Sequence, residues 1–168
     1  MTTETSSPSE KQQDELPLET NSWLSGLRSW LVFGVIATAL YFGNVELQTY
    51  LGKQAMQKVG FAELTLEQAL QIAGEQNKLV LADMSAIWCP SCRKLDREVL
   101  SQPIVNKAIK RDYVFVRIEY ESAAGKAFQE QYAVSVFPTL LVLNPDGEKI
   151  RNIGLTFDKD EFIRRLSL

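Results

Sequence analysis

Cys89 and Cys92 are the only cysteines in the 168-residue chain, and only Pro90 and Ser91 separate them. Residues 78–83 (KLVLAD), a short apolar run bounded by polar residues, precede the pair and read as a buried strand. Residues 89–100 that follow have helical composition. Two thiols at the start of a helix, directly after a strand, confine the chain to a narrow set of local geometries. The spacing brings both sulfurs onto one helical turn, close enough to bridge. Free N–H groups and the helix dipole favour a thiolate at the first position. Only the thiolate attacks a disulfide. Cys89, at the exposed end, is therefore expected to be the nucleophile, and Cys92, one turn inside, to resolve the mixed disulfide.

The rest of the composition removes competing chemistries. There are no histidines, which excludes Cys–His and Ser–His catalytic pairs and most zinc, copper and haem sites. A zinc site at C-x-x-C would need two further ligands from a second chain. A copper-delivery site would need a histidine and wider cysteine spacing. No metal and no cofactor beyond a Cys89–Cys92 redox disulfide is expected. The formal net charge of −3 offers no basic field for nucleic acid.

The charge is unevenly distributed. Residues 1–26 hold one base against five acids, 27–60 three bases against one acid, and 61–168 fourteen against fifteen. Residues 1–21 are polar, and such a segment buries too little to offset its ordering entropy, so a disordered tail is expected. Residues 29–45 (SWLVFGVIATALYFGNV) carry no charge. With Arg28 snorkelling, the apolar stretch reaches back to Trp23, and 22–45 reads as a transmembrane anchor. Trp23 and Trp30 at one end, with Tyr41 and Tyr50 at the other, suit interfacial aromatic belts. A buried core helix fits poorly between a polar tail and a polar linker. A cleaved signal peptide has Ala37-Thr38-Ala39 in its favour, and the long acidic N-region and short apolar core against it. A lipoprotein would need a cysteine nearby. Lys and Arg near the two ends are close to balanced, so charge does not orient the span. Residues 46–60 read as a linker, a helical extension or spacer, and 61–168 as a compact domain.

Within that domain Thr65 and Gln68 form a capping-box pattern ahead of LEQALQIA. Pro103 stands where a first helical residue would, opening PIVNKAIK. Residues 113–120 (YVFVRIEY) and 139–143 (TLLVL) read as strands. Residues 122–133 have helical composition. Residues 144–147 (NPDG) signal a turn into a return strand, GEKIRNIG. Asp158 can cap a final helix. The order αβααβαββα predicts an α/β fold with a mixed central sheet flanked by helices.

Trp88-Cys89-Pro90-Ser91-Cys92, with Asp83 six residues before Cys89 and Phe137-Pro138-Thr139 opening a later strand, resembles the thioredoxin superfamily over residues 61–168. The resemblance implies a thioredoxin fold, a buried acid at Asp83 and a cis-proline loop at Pro138 facing the thiols. Within the superfamily, LVLADMSAIWCPSCRKLDREVLSQPIVNKAI is most similar to the C-terminal thioredoxin-like domain of the transmembrane reductase DsbD and its stand-alone relatives. Asp96 matches a second acid on their active-site helix. The chain departs from DsbD in having one apparent span, so it cannot carry electrons across a membrane alone. By resemblance, the domain is expected on the periplasmic side of a bacterial inner membrane as a single-pass protein.

Roles follow. A buried Asp83 would have a raised pKa and take the Cys92 proton. Asp96 would raise thiol pKa values by like-charge repulsion or stand as a solvated helix charge. Trp88 is expected beside the thiols, shaping the partner groove. Phe137, Pro138 and Thr139 would align a substrate backbone by strand addition. Pro90-Ser91 supplies no cation to stabilise the thiolate, which favours a reductase or electron relay over a disulfide-forming oxidase or isomerase. Its partners would be protein disulfides and an upstream membrane or thioredoxin-type electron donor. A cytochrome c maturation thioredoxin is a narrower alternative. A binding or chaperone module of the same fold would not need the Cys pair, the acid and the proline together.

Overall fold

The computed structural model describes residues 22–167. The expected tail at 1–21 lies outside the described residues. The chain divides into two compact units between Tyr41 and Phe42, inside one long helix, α1 (Ser22–Val59). In the first unit, Trp30, Leu31, Phe33, Val35 and Leu40 are exposed along the helix. The Thr38 hydroxyl donates to the Gly34 carbonyl at 2.8 Å, which satisfies it within the helix. From Arg28 onward α1 is long and apolar enough to cross a membrane by length and composition.

The second unit begins inside α1. Residues 46–60 are helical through Val59, and Gly52 and Val59 are buried. The elements beyond follow the order expected. α2 (Leu66–Gln76) starts at a capping box, in which Gln68 N–H donates to the Thr65 hydroxyl and Thr65 N–H to the Gln68 side chain. β1 (Leu79–Ser85) runs two residues past Asp83. α3 (Pro90–Leu95) passes into a π-helical turn (Asp96–Leu100), where the sequence suggested one helix. α4 (Pro103–Asp112), β2 (Tyr113–Glu119), α5 (Ala123–Tyr132), β3 (Thr139–Leu143), β4 (Lys149–Asn152) and α6 (Lys159–Leu166) complete the domain. Asp158 caps α6 through its carboxylate.

Among the described residues the strands form a four-stranded sheet in the order β2-β1-β3-β4. β1 and β2 are parallel, and β3 is antiparallel to both β1 and β4. The mixed sheet follows from the connections: a helix crosses over between β1 and β2, and a tight turn joins β3 to β4. Alternation along the strands sends side chains to two cores. Val80, Ala82, Met84, Val114 and Val116 pack with α2 and α5 through Ala69, Ala73 and Phe128. Leu81, Phe115 and Val142 pack with α3, α4 and α6, and with Val59 of α1. The second face also carries Asp83 and Arg117, whose partners are described below.

Phe162 is fully buried and ties α6 to that second core. Phe162→Ala is expected to lower unfolding free energy by about 3–5 kcal/mol, measured by urea denaturation of the full chain in detergent.

Candidate active site

Cys89 occupies the N-cap of α3 and Pro90 its first turn. Pro there suits the helix start, because its missing N–H is one the helix leaves unpaired anyway. The chain reaches this point through a turn in which Cys89 N–H donates to the Ala86 carbonyl at 2.9 Å. Cys89 and Cys92 are joined as a disulfide. Cys92 N–H donates to Cys89 Sγ at 3.2 Å, and the Ser91 hydroxyl lies 3.1 Å from the same sulfur. The helix terminus therefore directs its free N–H at the first sulfur. Cys89 was expected at an exposed end. It is instead 3% exposed against 2% for Cys92, so the two differ in hydrogen bonding rather than in access. The cause is the aromatic wall in front of them.

That wall comes from two loops. Phe137 and Tyr120 pack against Ala86, Cys89 and Cys92. Trp88, 41% exposed, meets Phe137 edge-on with centroids 5.4 Å apart, and Tyr120 lies 4.7 Å from Phe137. The Phe137–Pro138 peptide is cis, and Pro138 is buried. Thr139 begins β3, and its hydroxyl donates to the Val136 carbonyl at 2.6 Å, closing the loop ahead of the strand. Val136 itself is exposed beside Phe137, so apolar surface borders the dithiol.

The rear of the site is charged. Parallel register sets Asp83 of β1 opposite Arg117 of β2, and Ser85 opposite Glu119. Arg117 donates from Nε to Asp83 Oδ2 at 3.1 Å and from Nη1 to Asp96 Oδ2 at 2.9 Å. One guanidinium thus bridges both acids. The second acid comes from the π-helical turn, at whose first residue Asp96 is buried. Asp96 is therefore an internal ion-pair partner and not a solvated helix charge. Asp83 is 0% exposed, and its Oδ1 has no hydrogen-bond partner. Burial pushes its pKa above the ordinary 3.8, Arg117 opposes the rise, and Asp96 adds to it. The unpartnered Oδ1 is the oxygen at which the Asp83 carboxylate can take up a proton. Glu119, half-buried, accepts from Ile87 N–H at 3.2 Å, and burial raises its pKa too. Arg93 donates to the Trp88 carbonyl at 3.2 Å.

Among the residues singled out from sequence, Cys89, Cys92, Trp88 and Phe137 form one cluster. Asp83 and Asp96 meet through Arg117. Thr139 spends its hydroxyl inside the loop. Sequence reading missed Arg117, Glu119, Tyr120, Arg93 and Gly52. For Arg117 and Glu119 a signal existed: in YVFVRIE they share a face with Phe115, which is inward-facing, at period two. Among the described residues no group of three or more His, Cys, Asp or Glu is placed to hold a metal ion.

A disulfide at a helix start, an apolar front, a cis-proline loop and a buried acid on the central strand define a thiol–disulfide oxidoreductase site on a thioredoxin architecture. The chain belongs to the thioredoxin-like domain family, whose model matches residues 66–167. It is 34% identical over 104 residues to the thiol:disulfide interchange protein DsbD of Pseudomonas fluorescens, covering 60% of this chain and 18% of that protein. It spans less than half the length of that relative. The solved C-terminal domain of Neisseria meningitidis DsbD in the reduced form is 28% identical, with a TM-score of 0.52, covering 61% of this chain and 91% of that one. A thioredoxin from Thermus thermophilus shares the fold at 22% identity and a TM-score of 0.57, covering 64% and 85%.

The raised Asp83 pKa links stability to pH. The folded chain holds this proton where the unfolded chain releases it, so the stabilisation is complete below about pH 4. It is lost as pH rises through the folded-state value. Asp83→Asn stays neutral throughout. The stability difference is expected to move in the variant's favour as pH rises from about 4, then level off. Denaturant titrations of variant and parent across that range check this, and a pH-independent difference would contradict it.

Proposed function

We propose that the chain is a membrane-anchored reductase or electron relay for protein disulfides, working through Cys89 and Cys92. Reduced Cys89, as thiolate, attacks one sulfur of a substrate disulfide; a mixed disulfide forms and one substrate thiolate leaves. Cys92 then gives its proton to ionised Asp83 and attacks Cys89 Sγ. The second substrate thiolate leaves, and two electrons have passed to the substrate. The Cys89–Cys92 disulfide is the oxidised product, which an upstream dithiol donor reduces again. The Cys92 N–H and Ser91 hydroxyl at Cys89 Sγ support the first step, and the orphaned oxygen of Asp83 supports the second. Substrate would lie as an extended segment along Phe137, Pro138 and Thr139, with Trp88 at its side.

The direction of flow rests on one observation: each arginine near the pair is committed elsewhere. Arg93 faces the Trp88 carbonyl, and Arg117 faces two carboxylates. Neither favours the thiolate strongly, which suits a reducing rather than an oxidising couple. The anchor is α1, with the domain on the periplasmic face of a bacterial inner membrane. The exposed apolar stretch of α1 and the likeness to DsbD support this reading.

Cys92→Ser is expected to accumulate the mixed disulfide with a model protein substrate, seen as a mass adduct at Cys89, whereas Cys89→Ser forms none. Equilibration of the full chain with glutathione buffers is expected to give a potential near the thioredoxin value of about −270 mV. A potential near about −120 mV, that of a strong oxidant, would overturn the reductase direction.

A further inference from the structure

Behind Cys92 lies a small void of about 10 Å³, whose lining includes Gly52, Ile87, Cys92, Asp96, Arg117 and Glu119. That volume is at the lower limit for one water molecule. Gly52 is the contribution of α1. A Cβ built on Gly52 would lie 3.1 Å from the Ile87 carbonyl carbon and closer still to its oxygen. Only glycine lets the helix backbone meet the loop backbone there. A glycine inside a helix costs about 0.5–1 kcal/mol relative to alanine, so local helix preference does not explain it. Ile87 is held through its N–H as well, which donates to Glu119. Ile87 stands two residues before Cys89, and the loop it belongs to positions the disulfide.

We propose that the C-terminal part of α1 is a wall of the active site. Gly52 is a positioning residue that closes the rear of Cys92 and keeps water from that sulfur and from Asp96. The anchor helix is thereby part of the redox site as well as its tether. This deepens the oxidoreductase reading, in which Cys92 is the resolving thiol, and rests on it.

Gly43 provides the control, since a Cβ there meets nothing within 4 Å. Gly43→Ala and Gly52→Ala raise helix preference alike, but only the second meets Ile87. In full-length Cys89→Ser protein in nanodiscs, Gly52→Ala is expected to speed iodoacetamide alkylation of Cys92 severalfold, with Gly43→Ala unchanged. With both cysteines present, Gly52→Ala is expected to shift the glutathione equilibrium severalfold toward the dithiol, because a hydrated site favours the thiolate. Equal alkylation rates in the two glycine variants, or an unmoved equilibrium, would overturn the proposal. Should Gly52→Ala not fold by circular dichroism, Ile87→Ala removes the side chain whose Cγ1 also faces Gly52 and loosens the wall from the loop side. It is expected to accelerate alkylation likewise, and an unchanged rate would overturn the proposal. Alkylation needs no substrate disulfide. Loss of turnover with the alkylation contrast intact would therefore count against the proposed function and leave this inference standing.

Discussion

Arg117 holds two carboxylates that would otherwise be buried without a counter-charge. Asp83 arrives on the central strand and Asp96 on the turn after the active-site helix, and one guanidinium joins them. Burying charge is costly, and removing one partner of such a cluster typically costs about 3–5 kcal/mol. The cluster therefore fixes the distance between β1, β2 and the π-helical turn. Because α3 leads into that turn, it also fixes where the dithiol sits. The other face of the sheet, packed by α2 and α5, is held by apolar burial and by the Tyr132 hydroxyl, which donates to the Gly147 carbonyl at 2.7 Å.

The same cluster sets the ionisation of Asp83. Asp83 is pulled two ways, by burial and Asp96 toward the neutral acid and by Arg117 toward the carboxylate. Burial is the largest of these influences, so the Asp83 carboxyl holds its proton to higher pH than an exposed aspartate does. In front, Phe137 and Tyr120 cover the sulfurs, so burial does not separate the two cysteines. The asymmetry between them comes from the helix start, where the free N–H of Cys92 points at Cys89 Sγ.

Glycine at position 52 links this chemistry to α1. The helix approaches the Ile87 peptide more closely than any side chain would allow. Glu119, from β2, accepts from the N–H of the same residue. The loop carrying Trp88 and Cys89 is thus bounded by three elements: β1 that leads into it, β2 beside it and α1 behind it. Residues 46–60, read as a linker or helical extension, meet the domain through Gly52, through the buried Val59 and through Asn106, which donates to the Val59 carbonyl at 2.6 Å.

The sequence by itself determined the elements and the disulfide pair. The Thr65–Gln68 cap, Pro103 at a helix start, the Asp158 cap and the apolar runs of β1, β2 and β3 are local signals, carried by residues a few positions apart. The Cys89–Cys92 spacing is equally local, and so was legible. The break of the active-site helix at Asp96 was not, because wider helical turns have no short sequence signature. Arg117 was visible as a charge in a largely apolar strand, but its partners were not. Which residue faces Asp83 depends on the register of two parallel strands joined by a long crossover. Gly52 was unreadable for the same reason: a close backbone approach involves residues 35 positions apart. Local order comes from short-range hydrogen bonds and periodicity, while the charge bridge and the rear wall exist only once tertiary packing has brought distant backbone together.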